Sequence, residues 1–407
     1  MSPRPSHSWF LALVVFTVVC QSTYNAVRVL ISYRVIELGG GAGVLGLVAA
    51  SYSLMPLLLA IAIGRVVDRG YTSAVMWAGT ALTILPIALA AWSPNIGLLL
   101  LANMALGLGQ ILTTVTGQAL IPQNFAAEDL GRRFGNLTIG VSVGQLIGLP
   151  LVGFIAGSGS EASPRTQLAM WTMCALAVLA VPFLLWTMRR PRTGVHRSRA
   201  EARATAQSPW AILGIRGMKP AIFASMSTLA AVDIMTAYLP LVGENHGIAV
   251  QYVTLLITVR TISSIVCRAF MGVLAARFGN LPVLAASSTI AGASVVLVPV
   301  LTLAFSGMPL FAALAVLMAI GGIGFGLTQP LTMTWVSTIA HPDNRGAVLS
   351  IRLAGNRLSQ VVIPSLASAV AGFTPVGVVF VLTGVMLLIA GGSTELHRRR
   401  RGGSASR

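Results

Sequence analysis

Five ionisable side chains lie deep inside otherwise apolar stretches of this sequence: Arg28, Asp233, Arg260, Arg352 and Arg357. A charge carried to the middle of a bilayer costs roughly 2.5–3.5 kcal/mol on insertion scales, so such a residue faces a cavity or a partner. Four cations against one acid leave an excess of positive charge. Arginine presents a planar fork of donors that matches a carboxylate or a phosphate, so this set suits an anionic ligand. Asp233 stands about 13 residues into its stretch from Pro220, roughly 20 Å at 1.5 Å per residue. A carboxylate at that depth, whose distance to an arginine changes during a conformational cycle, takes up and releases a proton. Such a group couples proton movement to another event, and Asp233 is the candidate proton-coupling residue; its competing role is a permanent pair with an arginine that only neutralises one of the buried cations.

These residues have polar company at helical spacing. Gln21, Asn25, Arg28 and Ser32 recur at steps of four, three and four and share one helix face. Asn103, Gln110 and Thr114 do the same, as do Arg260, Ser264 and Cys267 and the set Arg352, Asn356 and Gln360. Arg357 projects about 140° away from Arg352 at 100° per residue, so the two are not expected to reach the same place. Trp335, with Tyr24 and Tyr238, offers an aromatic wall. The candidate ligand-binding residues are Asn25, Arg28, Asn103, Gln110, Arg260, Trp335, Arg352, Asn356, Arg357 and Gln360. The competing role for each arginine is to tie helices together through backbone carbonyls.

The elements that must hold these residues are apolar and long. Of 407 residues, 55% are hydrophobic and 9% charged, whereas a soluble domain carries about a quarter charged residues. Twelve windows approach the roughly 20 residues that a spanning helix needs. They are Trp9–Ile36, Val44–Val66, Ala74–Trp92, Ile96–Ile121, Phe134–Gly157, Leu168–Met188, Pro220–Val242, Ala249–Gly272, Leu281–Leu303, Leu310–Ile339, Ala347–Ala371 and Pro375–Ser393. This predicts an all-α integral membrane protein with a first six-helix bundle over 1–188, a basic linker over 189–218, a second bundle over 219–394 and a basic tail over 395–407.

The formal net charge of +17 does not point to nucleic acid, because the arginines sit in short loops between apolar windows and not on one face of a soluble domain. With the N-terminus inside, the basic residues gather on the inner side: Arg65 and Arg69, Arg132 and Arg133, the linker with Lys219, and the tail. By the positive-inside rule both termini are cytoplasmic. The Arg, Ala and Gly bias suits a bacterium, and hence its inner membrane. No cleavable signal peptide is expected, since the first window is too long. Cys20, Cys174 and Cys267 lie inside apolar windows without metal or redox spacing. No metal, cofactor or catalytic constellation is expected. There is no Gly-Lys-Ser/Thr phosphate loop, so ATP is not the direct energy source.

The two halves repeat. Gly64-Arg-Val-Val-Asp68-Arg69-Gly70 follows the second window, and Gly272-Val-Leu-Ala-Ala-Arg277-Phe-Gly279 follows the eighth. Gly107-Leu-Gly109 in the fourth window answers Gly324-Phe-Gly326 in the tenth, and Gln145 ahead of Pro150 answers Gln360 ahead of Pro364. Three such pairs in one order imply two related six-helix halves.

On these motifs the chain resembles the major facilitator superfamily, whose hallmark is a G-x-x-x-D-R-x-G loop after the second helix with a degenerate copy after the eighth. The resemblance implies two pseudo-symmetric bundles, a central cavity lined chiefly by windows one, four, seven and ten, and transport of a small molecule. It also implies a conformational latch in which Asp68, with Gly64 and Arg69, meets Arg345 at the start of the eleventh window. The drug–proton antiporters of the superfamily place an arginine four residues before G-x-G in window four, where this chain has Asn103. Their glycine-rich window five is only partly matched by Gly140, Gly144, Gly148, Pro150 and Gly153.

The leading expectation is a monomeric secondary transporter of a small organic anion, driven by protons or another coupling ion. The alternative is a proton-antiporting exporter of drugs or amphipathic metabolites. A transporter-like sensor lacks a signalling domain here, and an intramembrane enzyme lacks a nucleophile–base pair.

Overall fold

The computed structural model describes residues 8–125, 129–157, 165–189, 213–340 and 345–405, and these are helical throughout, without strands. The helices are α1 (Ser8–Glu37), α2 (Ala42–Asp68), α3 (Thr72–Trp92), α4 (Ile96–Asn124), α5 (Leu130–Gly157), α6 (Thr166–Val178), α7 (Ala180–Met188), α8 (Met218–Asn245), α9 (Val250–Ala269), α10 (Met271–Phe278), α11 (Asn280–Ala304), α12 (Gly307–Ile339), α13 (Arg345–Ala371) and α14 (Val376–Ala405).

Eleven spans among the described residues are long and apolar enough to cross a membrane. The remaining window, the eleventh, forms too, as the 27-residue α13. Its interior Arg352, Asn356, Arg357 and Gln360 place it below that threshold of apolarity. The sixth window is interrupted at Leu179. Pro182 has no N–H to donate to Val178 and so opens the ladder there. The eighth window is interrupted at Phe270 and resumes as α10.

Three sequence expectations need correction. The first copy of the repeated motif was read as a loop, yet α2 runs through Asp68 and only the last residues turn. Gly70 has φ +92°, its N–H meets Val67 O at 3.0 Å, and the Tyr71 N–H meets Val66 O at 3.4 Å. This is a Schellman stop, which needs the left-handed residue that glycine supplies. The second copy lies mostly within α10. The tail, read as a separate basic segment, continues α14 to Ala405. There Glu395 accepts bonds from Arg398 and Arg399 one turn on, the i, i+3 and i, i+4 pairing that sustains exposed helices.

The chain divides into two compact units. The first holds Met1–Gly40, Ser51–Arg197 and Ala249–Thr254; the second holds Gly41–Ala50, Ser198–Ile248 and Leu255–Arg407. The first turns of α2 therefore belong to the second unit, where Ser368 Oγ donates to Gly43 O.

Within the first unit α5 lies on α1. A Cβ at Gly144 would stand 2.5 Å from Val18 O, and one at Gly148 would overlap Ser22 O, so the glycine face of α5 sets the closeness of this pair. The G-x-G repeats do matching work. Gly107 abuts Tyr52 of α2 and Gly109 abuts Leu82 of α3; Gly324 abuts Ser287 of α11 and Gly326 abuts Ser264 of α9. Each half thus packs its fourth helix against its second and third through one glycine pair.

Candidate functional site

The second unit carries two polar layers. In the first, Gln329 of α12 is the hub. Its Nε2 donates to Ser225 O of α8 at 2.7 Å, and Ser225 Oγ donates to its Oε1 at 3.1 Å. These bonds fix the amide with its oxygen toward α13. Arg352 Nη2 donates to that Oε1 at 2.7 Å and to Gln329 O at 3.0 Å. Arg352 is 9% exposed. Among the described residues it contacts only these neutral oxygens, and its Nε has no hydrogen-bond partner. One turn on along α13, Asn356 is buried and its Oδ1 is likewise without a partner. A guanidinium held this way has its position fixed and its charge uncompensated by those contacts.

The second layer lies eight residues further along α8, about 12 Å away. Gln360 Nε2 donates to Asp233 Oδ2 at 2.8 Å, and Arg357 Nη1 donates to Gln360 Oε1 at 3.2 Å. The amide is a relay: its nitrogen serves the acid and its oxygen serves the cation. Asp233 is 1% exposed. Arg357 does project from another face of α13 than Arg352, and its length brings it back to Gln360 on the turn above. The two arginines therefore occupy separate layers. On α9, Arg260 is buried with its guanidinium 5.7 Å from the centre of the Phe325 ring. Ser264 Oγ donates to Gly322 O at 2.8 Å, holding α9 against α12.

The first unit is polar but mostly neutral. Tyr24 is fully buried and its hydroxyl pairs with Thr83 Oγ1 at 2.6 Å and Thr113 Oγ1 at 3.0 Å, joining α1, α3 and α4. Asn25 Nδ2 donates to Gln21 O of its own helix at 2.9 Å. Arg28 is half-buried and stacks over the Tyr52 ring at 4.6 Å, a cation–π contact. Asn103 is 2% exposed and donates to Ser51 Oγ at 3.0 Å, inside the α4–α2 packing. Gln110 stays partly exposed on α4.

The profile of the Major Facilitator Superfamily matches this chain over residues 11–249 and 221–401. The chain belongs to the major facilitator superfamily. No curated protein matches it. Solved structures do. A mutant of the nucleoside transporter NupG has a TM-score of 0.76 at 15% identity, covering 96% of this chain and 99% of that one. A D-xylose–proton symporter has 0.75 at 15%, covering 96% and 97%, and the peptide transporter POT in complex with sulfate has 0.77 at 14%, covering 98% and 96%. At such identities the likeness establishes the fold and leaves the substrate open. This major facilitator protein is thus a multi-pass, twelve-helix membrane transporter of that superfamily.

One expected site residue of this transporter, Trp335, lies away from the two polar layers. Trp335 sits in an apolar cluster with Met218, Ile222, Leu331 and Val336, its ring 5.4 Å from that of His397. It touches the Gly217 end of α8, about 24 Å along the helix from Asp233. It packs at the end of the unit, away from the layer that holds Asp233. Arg133, read as a loop charge, is buried within α5, and its guanidinium lies 5.0 and 4.3 Å from the ring centres of Phe10 and Phe125. For the latch, Asp68 ends α2 and Arg345 opens α13, but both side chains lie outside the described residues, as does Asn344 entirely. Gln329 and Ser225 were missed. The available signal was a lone amide, next to Pro330, in the most apolar of the windows.

Proposed function

We propose that this major facilitator protein is a secondary transporter that moves a small organic anion by alternating access and couples the movement to protons through Asp233. The observation that carries the reading is Arg352. Among the described residues this buried guanidinium bonds only to neutral oxygens and keeps an unused donor, and a carboxylate or phosphate is the partner that best matches its charge and geometry. Asn356, one turn away with an unused acceptor, suits a substrate that bears a hydroxyl or amine beside its anionic group. Arg28 and Arg260 are the further cations of the set, and Gln360 links Arg357 to the acid. The D-xylose–proton symporter of like fold is in keeping with proton coupling. The glycine face of α5 packs on α1, so it gives the exporter reading no separate support.

The test is a thermal-shift screen of the purified protein against organic acids, amino acids, sugars and cationic drugs. A ligand at 100 times its Kd stabilises by about 2.7 kcal/mol. Organic acids are expected to shift the melting temperature and cationic drugs are not; the reverse pattern removes the anion reading.

The same reading places the protein as a monomer in a bacterial inner membrane with both termini cytoplasmic. Fusions of a cytoplasm-dependent fluorescent reporter after residue 200 and after residue 407 should both fluoresce. A periplasmic phosphatase active at either position overturns the topology.

A further inference from the structure

A second basic site lies at the far end of the second unit from Asp233. A pocket of about 420 Å³ opens between the start of α8 and the end of α14, lined by Arg216, Lys219, Phe223, Leu396, His397 and Arg400, with Pro220 and Ser393 completing it. No acid lines it. Glu395 on α14 is engaged by Arg398 and Arg399, and among the described residues Arg216, Lys219 and Arg400 have no ion-pair partner. Three cations therefore converge on one concavity with their charge uncompensated.

The pocket is amphipathic in a definite direction. On α8, Lys219 and Phe223 are one turn apart and the phenyl ring is deeper into the span Met218–Asn245. On α14, Arg400 and Leu396 are one turn apart and again the apolar residue is deeper in the span Val376–Arg400. Leu396 is 51% exposed. Both helices thus present a cation at the membrane–water boundary with an apolar side chain directly beneath it. A free phosphate has no use for the apolar layer, whereas a phospholipid fills both, its phosphate among the cations and its first methylenes against Phe223 and Leu396. The inner wall is His397, which packs on Gly217 and on the Trp335 ring, so an occupant touches α8 and α14 directly and α12 through one ring.

We infer that this pocket binds a phosphate-bearing anion, and that its source is the headgroup of an anionic phospholipid. The inference stands apart from the proposed substrate: Lys219 is 14 residues from Asp233, about 21 Å along α8.

Purified full-length protein in a non-ionic detergent is titrated with phosphatidylglycerol, phosphatidylcholine or inorganic phosphate, and bound lipid is counted by native mass spectrometry. Phosphatidylglycerol should bind at a saturable site and phosphatidylcholine should not. The triple variant Arg216→Gln, Lys219→Gln, Arg400→Gln should weaken that site on the order of a hundredfold, since each surface cation contributes about fivefold to anionic-lipid attraction. The charge-matched variant Arg132→Gln, Arg189→Gln, Arg277→Gln, whose side chains are not among those lining the pocket, should change it by less than about threefold, since a headgroup seated in the pocket does not contact them. Should the triple variant not fold, Lys219→Gln and Arg400→Gln alone should each give about a fivefold loss. Equal loss in both triples, or equal binding of the two lipids, overturns the site. Displacement of the bound lipid by millimolar inorganic phosphate, lost in the pocket variant, overturns the lipid source and assigns the pocket to free phosphate.

Discussion

Replacing Arg352 with glutamine is expected to weaken binding of the transported anion by about 10- to 150-fold, the loss of one charge-assisted hydrogen bond worth roughly 1.5–3 kcal/mol. The fold should tolerate the change. Gln329 keeps both bonds to Ser225 without Arg352, so the α8–α12 contact survives, and the substitution removes a charge that its protein contacts do not neutralise. Arg352→Lys separates charge from geometry. Lysine retains the cation and lacks the fork, so it should fall between the native protein and the glutamine variant. Binding is measured by isothermal titration with the acid that gives the largest thermal shift, and stability by unfolding of the unliganded protein. If glutamine leaves the dissociation constant unchanged and lowers the melting temperature, Arg352 is a strut between α13 and α12, and the anion reading loses its support.

What could be read in the sequence follows from what each signal measures. The windows reported length and apolarity, which the bilayer fixes, so all twelve form helices, α13 included despite Arg352 and Arg357. Helix ends were harder, because capping and continuation depend on a few bonds. Asp68 and Arg69 look like a polar loop, yet the backbone of α2 stays helical until Gly70 takes positive φ. The break at Leu179 was in principle available from Pro182.

The site was legible in residue type more than in placement. Helical spacing put Arg352, Asn356 and Gln360 on one face, and all three are buried. The angle between Arg352 and Arg357 was correct as geometry but silent about reach: the guanidinium sits several bonds from the helix, and Gln360 meets it. Chemistry groups Trp335 with the ligand-binding residues, although its place four residues from the end of its window sets it near one end of its span. For Gln329 the lone amide was the one signal in sequence, and it carried little rank, since its importance arises from α12 packing against both α8 and α13 and it has no periodic partner in its apolar helix.

Asp233→Asn is expected to abolish accumulation against a gradient while leaving substrate exchange in place. The asparagine is nearly the same size, and its Oδ1 can accept the same bond from Gln360 Nε2, so the α8–α13 contact and the setting of Arg357 by Gln360 are retained. What is lost is the proton. With one proton coupled per electroneutral cycle, a gradient of one pH unit sustains about a tenfold concentration ratio, 1.36 kcal/mol. The variant in proteoliposomes under that gradient should equilibrate at a ratio of about one, with counterflow of labelled substrate preserved, because exchange does not require net proton movement. Asp233→Glu, which keeps a carboxyl one methylene further out, should recover part of the accumulation. The competing role is a fixed partner that offsets the buried cations of α13 and α9. Under that role the asparagine variant leaves more uncompensated charge in the unit, so exchange and stability fall together and the glutamate variant restores both. Accumulation that persists in Asp233→Asn with its pH dependence unaltered excludes Asp233 as the proton carrier. Driving force must then enter through another ion or another residue, and the relay through Gln360 becomes a structural tie between α8 and α13.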